Sequence, residues 1–203
     1  MKLTGNQINQ LAASIHKGNI RKGFWEEGQT EVDEIRIKLL VVSELFEMFE
    51  ADRKGKDAQE IQHAVKMLNV RPFDKNDAAE KDANYIKYFA AHIKDSKEDE
   101  LADTMIRLLD YSAFLKVDFN DERFNLKPLK SYLKEFSGVF LHDLDTLISM
   151  INSGLDNPVA FNICNCYQLL ISFAKKYEID LLTHVNLKLA YNVTRKKMHG
   201  KKY

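Results

Sequence analysis

Ser43-Glu44-Leu45-Phe46-Glu47 lies within a stretch whose apolar residues Ile35, Leu39, Val42, Phe46 and Phe49 recur at spacings of three and four. That period belongs to a helix. Thr30-x-x-Asp33 supplies a cap pattern ahead of it, and Gly55 follows it. A second acidic stretch, Asp99-Glu100-Leu101-Ala102-Asp103, opens the helical run Leu101–Leu115 behind the cap pattern Ser96-x-x-Asp99. Glu44 and Glu47 are three residues apart, as are Glu100 and Asp103, so each pair projects from one face of its helix. Four carboxylates turned inward between two helices repel one another unless a divalent cation sits among them.

The rest of the chain keeps the helical period, with no convincing strand alternation. The expected fold class is all-α, a helical bundle in one domain, 1–203. Arg71-Pro72 separates two further helices, roughly 57–69 and 77–94, and Asn157-Pro158 reads as a cap followed by proline in the first helical position. The 203 residues are 45% apolar and 30% charged, which suits a helical globular protein with a sizeable core. The formal net charge is zero, which argues against a protein that coats nucleic acid by bulk electrostatics. The two cysteines, Cys164 and Cys166, are too few for a closed zinc site and show no disulfide framework. No charged-then-apolar leader opens the sequence, and no apolar run approaches the ~20 residues that span a bilayer. The expectation is a reduced, cytoplasmic protein without membrane or stable nucleic-acid partners.

A faint internal repeat accompanies this pattern. Shifted by 62 residues, Leu101–Phe119 lies on Ile163–Leu181, with Glu100 on Asn162 and Asp103 on Asn165. Shifted by 102, Leu45, Phe46 and Met48 meet Leu147, Ile148 and Met150, while Glu44 and Glu47 meet Thr146 and Ser149. Residues 126–203 then read as a degenerate copy of 1–125 that kept its apolar positions and lost its acids, with helices 57–94 inserted in the first half. Two unrelated amphipathic helices also align in this way.

Magnesium takes oxygen ligands and is commonly held by a few carboxylates and substrate phosphates, so two acidic pairs on adjacent helices suit a phosphate-handling site. The same acids also read as surface chemistry, with Glu50 paired to Lys54 and Asp103 to Arg107 at i+4. Lys188, Asn192, Arg195 and His199 form one stripe on a helix expected to end at Gly200. They offer cationic and amide donors to phosphate oxygens, or simply complement the dipole at a helix end.

Together these stretches resemble the all-alpha nucleoside triphosphate pyrophosphohydrolases, the MazG-like and dimeric dUTPase-like group. The family's E-x-x-E, E-x-x-D and Lys-x-x-x-Asn-x-x-Arg correspond to Glu44/Glu47, Glu100/Asp103 and Lys188/Asn192/Arg195. Lys22-Gly23-Phe24-Trp25 and His199-Gly200-Lys201 have its flavour. The match covers roughly residues 10–56, 97–119 and 180–203. The resemblance implies Mg2+-dependent hydrolysis of a (d)NTP to (d)NMP and pyrophosphate, with Mn2+ as a substitute. It assigns the metal to Glu44, Glu47, Glu100 and Asp103, water activation to Glu47, and phosphate or sugar contacts to Lys188, Asn192 and Arg195. Trp25 would stack on the base or belong to the core. A homodimer or higher homo-oligomer is expected. Two other readings are a nucleotide-binding bundle without turnover and a di-iron bundle, for which Glu60-x-x-His63 gives only one of two required motifs.

Overall fold

A computed structural model describes residues 3–69, 75–121 and 133–196. Among these residues the regular elements are eight helices and no strand, as expected. In chain order they are α1 Gly5–Lys22, α2 Glu34–Arg53, α3 Ile61–Asn69, α4 Lys75–His92, α5 Lys97–Phe114, α6 Phe140–Leu155, α7 Ala160–Lys176 and α8 Leu181–Thr194. None of the described helices is long and apolar enough to cross a membrane.

Helix α5 is the axis of the fold. Leu101, Ala102, Met105, Leu108, Leu109 and Tyr111 are all buried, so the helix is apolar nearly all round and packs against α1, α2, α7 and α8. It starts at Lys97, four residues before the apolar run, because the Ser96 hydroxyl accepts the Asp99 N–H. Helix α2 lies antiparallel beside it. Lys97 reaches Asp52 at the end of α2, and Arg107 reaches Glu44 near its middle. Asp33 caps α2 by accepting the Arg36 N–H. The α6–α7 hairpin packs on the other side, tied down by Lys38–Asp156 and by Lys97 above the Phe140 ring.

Helices α3 and α4 bury a small cluster of their own, in which Ala64, Tyr85, Phe89 and Ile93 meet Leu187 of α8. Arg71-Pro72, expected to break these helices, lies outside the described residues.

Several boundaries differ from the sequence expectation, among them the start of α3, which is Ile61 rather than about 57. Helix α7 begins at Ala160 with Val159 as its cap, not at Pro158. The Asn157 carbonyl accepts from Val159 N and from the Asn162 side chain, and this turn delays the helix. Helix α8 ends at Thr194, not Gly200: Arg195 is extended, and the Lys22 ammonium takes the Val193 and Arg195 carbonyl oxygens that another turn would use. His199, Gly200 and Lys201 lie outside the described residues. The surface pairs also differ, since Glu50 binds Arg53, Arg107 binds Glu44, and Asp103 binds Lys188.

Under the two shifts three of four helix ends coincide to within one residue, and the start of α6 lies four residues late. Moved by 62 residues, α5 covers 159–176, where α7 runs from Ala160 to Lys176. Moved by 102, α2 covers 136–155, where α6 runs from Phe140 to Leu155.

Candidate metal site and adjoining cavity

The antiparallel pairing of α2 and α5 brings three of the four expected acids together. One carboxylate oxygen each from Glu44, Glu47 and Glu100 lies within 4.8 Å of the others. Glu44 and Glu100 are buried and Glu47 is exposed, so the cluster has a closed floor and an open side. Asp103 stands one turn along α5 with its Oδ2 held 2.8 Å from Lys188 Nζ. Three hard oxygen donors within reach of one point, one side open to water, fit a magnesium ion that keeps several waters.

The electrostatics point the same way. Burial pushes the Glu100 carboxyl up to about 9; Lys188 opposes this, and Asp103, Asp99 and Glu44 add to it. Burial also raises Glu44, against the pull of Arg107, whose Nε and Nη2 both donate to Glu44 Oε1. Without a cation, the fold therefore holds a proton on Glu100 near neutral pH. A divalent cation supplies the missing positive charge.

Lys188 is placed differently from a free phosphate ligand. It is 4% exposed, and its ammonium donates to Asp99 Oδ2 at 2.7 Å as well as to Asp103. Burial pulls its pKa down, but the two carboxylates outweigh this and hold the ammonium well above its ordinary value. Phe89 of α4 lies beneath it, 5.8 Å from the ring centre. Asp99 belongs to a second acid group, with Asp95 and Glu100, whose oxygens also lie within 4.8 Å of one another. Lys188 and the Asp95 N–H already occupy Asp99 Oδ2.

Next to the acids is a cavity of about 500 Å³. Asp103 and Arg107 form its edge toward the cluster, and Trp25, Asn192 and Arg195 line it. Gly23 makes this possible. Its left-handed φ of 81° ends α1 and turns Phe24 and Trp25 back toward α5. Trp25 is 6% exposed, stacks on Phe114 at 4.7 Å, and donates its indole N–H to Asp110 at 2.8 Å. Asp110 also accepts from Asn19 and pairs with His16 Nδ1, so one carboxylate fixes the whole wall. Two buried polar atoms in the lining residues have no partner, Arg36 Nε and Tyr111 Oη.

The sequence reading missed Arg107, Asp110 and Asp99 as site residues. A signal existed for two of them. Glu100, Asp103, Arg107 and Asp110 recur at spacings of three, four and three, which is a charged stripe on an otherwise apolar helix.

Compared with protein-family models, curated proteins and solved structures, the chain finds no match.

Proposed function

We propose that this chain is a Mg2+-dependent nucleoside triphosphate pyrophosphohydrolase that converts a (d)NTP to the (d)NMP and pyrophosphate. The observation that carries this is the meeting of Glu44, Glu47 and Glu100 within 4.8 Å, beside a cavity that shares Arg107 and Asp103 with them. Glu44, Glu47 and Glu100 would hold the metal, with Asp103 one turn along α5 as the fourth acid of the set. When bound, the ion would offset the triphosphate charge and lower the pKa of a water. Glu47, the solvent-facing member, takes the proton as the water oxygen attacks the α-phosphorus. The bridging P–O bond to the β-phosphate breaks, and its electron pair leaves with pyrophosphate. Arg195 and Asn192 hold phosphate or sugar oxygens, and Trp25 forms part of the wall against the base.

We read α6–α7 as a degenerate copy of α2–α5, supported by the coincidence of three of four helix ends under the two shifts. A nucleotide-pool role places the protein in the cytoplasm, consistent with two buried free thiols whose pKa values burial raises to about 11 and 12.

The test is pyrophosphate release from a panel of ribo- and deoxyribonucleoside triphosphates with magnesium, beside Glu47→Ala. Release by the wild type and none by the variant is expected. The sealing of Lys188 by Asp99 and Asp103 favours a second reading, nucleotide binding without turnover. Saturable binding with no pyrophosphate from any substrate would replace the first reading with the second.

A further inference from the structure

The cavity beside the acids is lined by two residues whose buried polar atoms find no partner among the described residues. Tyr111 is 2% exposed, and its Oη makes no hydrogen bond. Arg36 Nε is likewise buried and unpaired. Buried polar atoms are nearly always hydrogen-bonded, so two orphans lining one cavity call for a ligand that supplies their partner.

Their place in the bundle says which part of a nucleotide they meet. Helices α2 and α5 run antiparallel, with Glu44 against Arg107. Arg36 precedes Glu44 by eight residues, and Tyr111 follows Asp103 by eight. Each therefore stands about 12 Å along its helix from the acids, at 1.5 Å per residue, and the antiparallel run puts both at the same end. Burial, with the Glu34 carboxylate at the start of α2 adding to it, pushes the Tyr111 phenol up to about 12, so it keeps its proton. With phosphates beside the acids and the sugar between, the base falls at the Arg36–Tyr111 end.

The chemistry of that end is one-sided. A guanidinium Nε donates and never accepts; the phenol can do either, so Arg36 sets the sign of the preference. A carbonyl oxygen on the base satisfies the pair, whereas an exocyclic amino group sets donor against donor. Glu26 and Glu31 also line the cavity but are exposed, and water competes for their oxygens. We propose that the cavity selects nucleotides whose base carries an oxo group at its far edge, 4-oxopyrimidines or 6-oxopurines, over the 4-amino and 6-amino counterparts, with Arg36 and Tyr111 as the specificity-determining residues. This rests on the nucleotide reading of the cavity.

The test uses the full chain with magnesium and the α,β-imido analogues of UTP, CTP, ITP and ATP, which keep the base and cannot release pyrophosphate. Binding is followed by the fluorescence of Trp25 in the cavity wall, and pyrophosphate release from the four parent nucleotides is measured alongside. In at least one pair the oxo member should bind roughly 10- to 100-fold tighter than its amino counterpart. Tyr111→Phe keeps the ring and should cut that ratio several-fold. Arg36→Gln brings an amide acceptor and should carry the ratio close to one; a merely structural role would weaken both members alike. Equal affinities within both pairs overturn the proposal even if pyrophosphate is released, and assign the two orphans to water. Variants that keep the wild-type ratio overturn it too. An oxo preference without release from any parent sustains the proposal and removes hydrolysis, and no binding of any analogue overturns both.

Discussion

Replacing Glu100 by Gln should stabilise the metal-free protein and abolish its response to magnesium. Burial holds the Glu100 carboxyl at about 9, against an ordinary 4.5. The folded state therefore keeps a proton that the unfolded chain releases at neutral pH. The stability this group contributes is complete below about 4.5 and falls as pH rises toward about 9. At pH 7 the retained proton costs about 3.4 kcal/mol, at about 1.4 kcal/mol per pH unit. Glutamine keeps the shape and does not titrate. Glu100→Gln in chelator should thus gain up to about 3 kcal/mol at pH 7 and almost nothing near pH 4.5. For a chain of this length that is a Tm increase of roughly 6–12 °C. Magnesium should raise the wild-type Tm, because the cation replaces the proton, and leave the variant unmoved. Calorimetry of both proteins at two pH values, with chelator and with millimolar magnesium, measures all four quantities. A variant no more stable than wild type in chelator at pH 7 would refute the reasoning. A variant whose Tm still rises with magnesium would place the ion elsewhere.

Lys188→Met leaves Asp99 and Asp103 as uncompensated carboxylates, Asp99 fully buried, and should lower unfolding free energy by about 3–5 kcal/mol in urea titrations. Trp25→Phe keeps the stack on Phe114 but removes one of the three partners of Asp110, which Asn19 and His16 still hold, at about 0.5–1.5 kcal/mol by the same measurement. Trp25 is the single tryptophan, so magnesium nucleotide entering the cavity should shift its fluorescence, and Arg195→Ala should weaken that titration. Asn162→Ala or Asn165→Ala should leave the magnesium-induced rise in Tm unchanged, because the α7 positions equivalent to the acids of α5 carry no metal; a large loss would sink the duplication.

How much of this was legible depends on which interactions are local. Helix identity was legible because apolar period and caps are properties of neighbouring residues, as Ser96 shows, although the cap of α2 is Asp33 and not Thr30 of the expected Thr30-x-x-Asp33 pattern. Helix ends governed by distant groups were not. Nothing near Thr194 announces that Lys22, on α1, will take the carbonyls at the end of α8. The apolar period of α2 shows a similar limit. Ile35, Leu39 and Phe46 mark the element as a helix, but they are its outer face, while Glu44 is buried on its inner one. Periodicity reports that a face exists and is silent on what meets it.

The site divides along the same line. Spacing within one helix correctly sets Glu44 with Glu47, and it sets Lys188 and Asn192 along α8, with Arg195 just past its end. It cannot say which part of a face meets an acid and which meets a cavity, because that depends on where two helices cross. Helix α8 passes α5 with Lys188 against Asp99 and Asp103, so the first residue of the expected phosphate stripe becomes a buried counter-ion. One and two turns further on, Asn192 and Arg195 clear α5 and reach the cavity wall. Phe89 of α4 strengthens this division, since its ring lies 5.8 Å from the Lys188 ammonium and shields it from water. Removing that cover is the way to ask whether the lysine is held by its acids alone. Phe89→Ala opens the cluster to solvent, where the Lys188–Asp103 pair is screened and Asp103 is free to turn toward Glu100. If Asp103 is the fourth ligand, magnesium should then bind more tightly to a less stable protein, a combination that simple loss of packing does not produce.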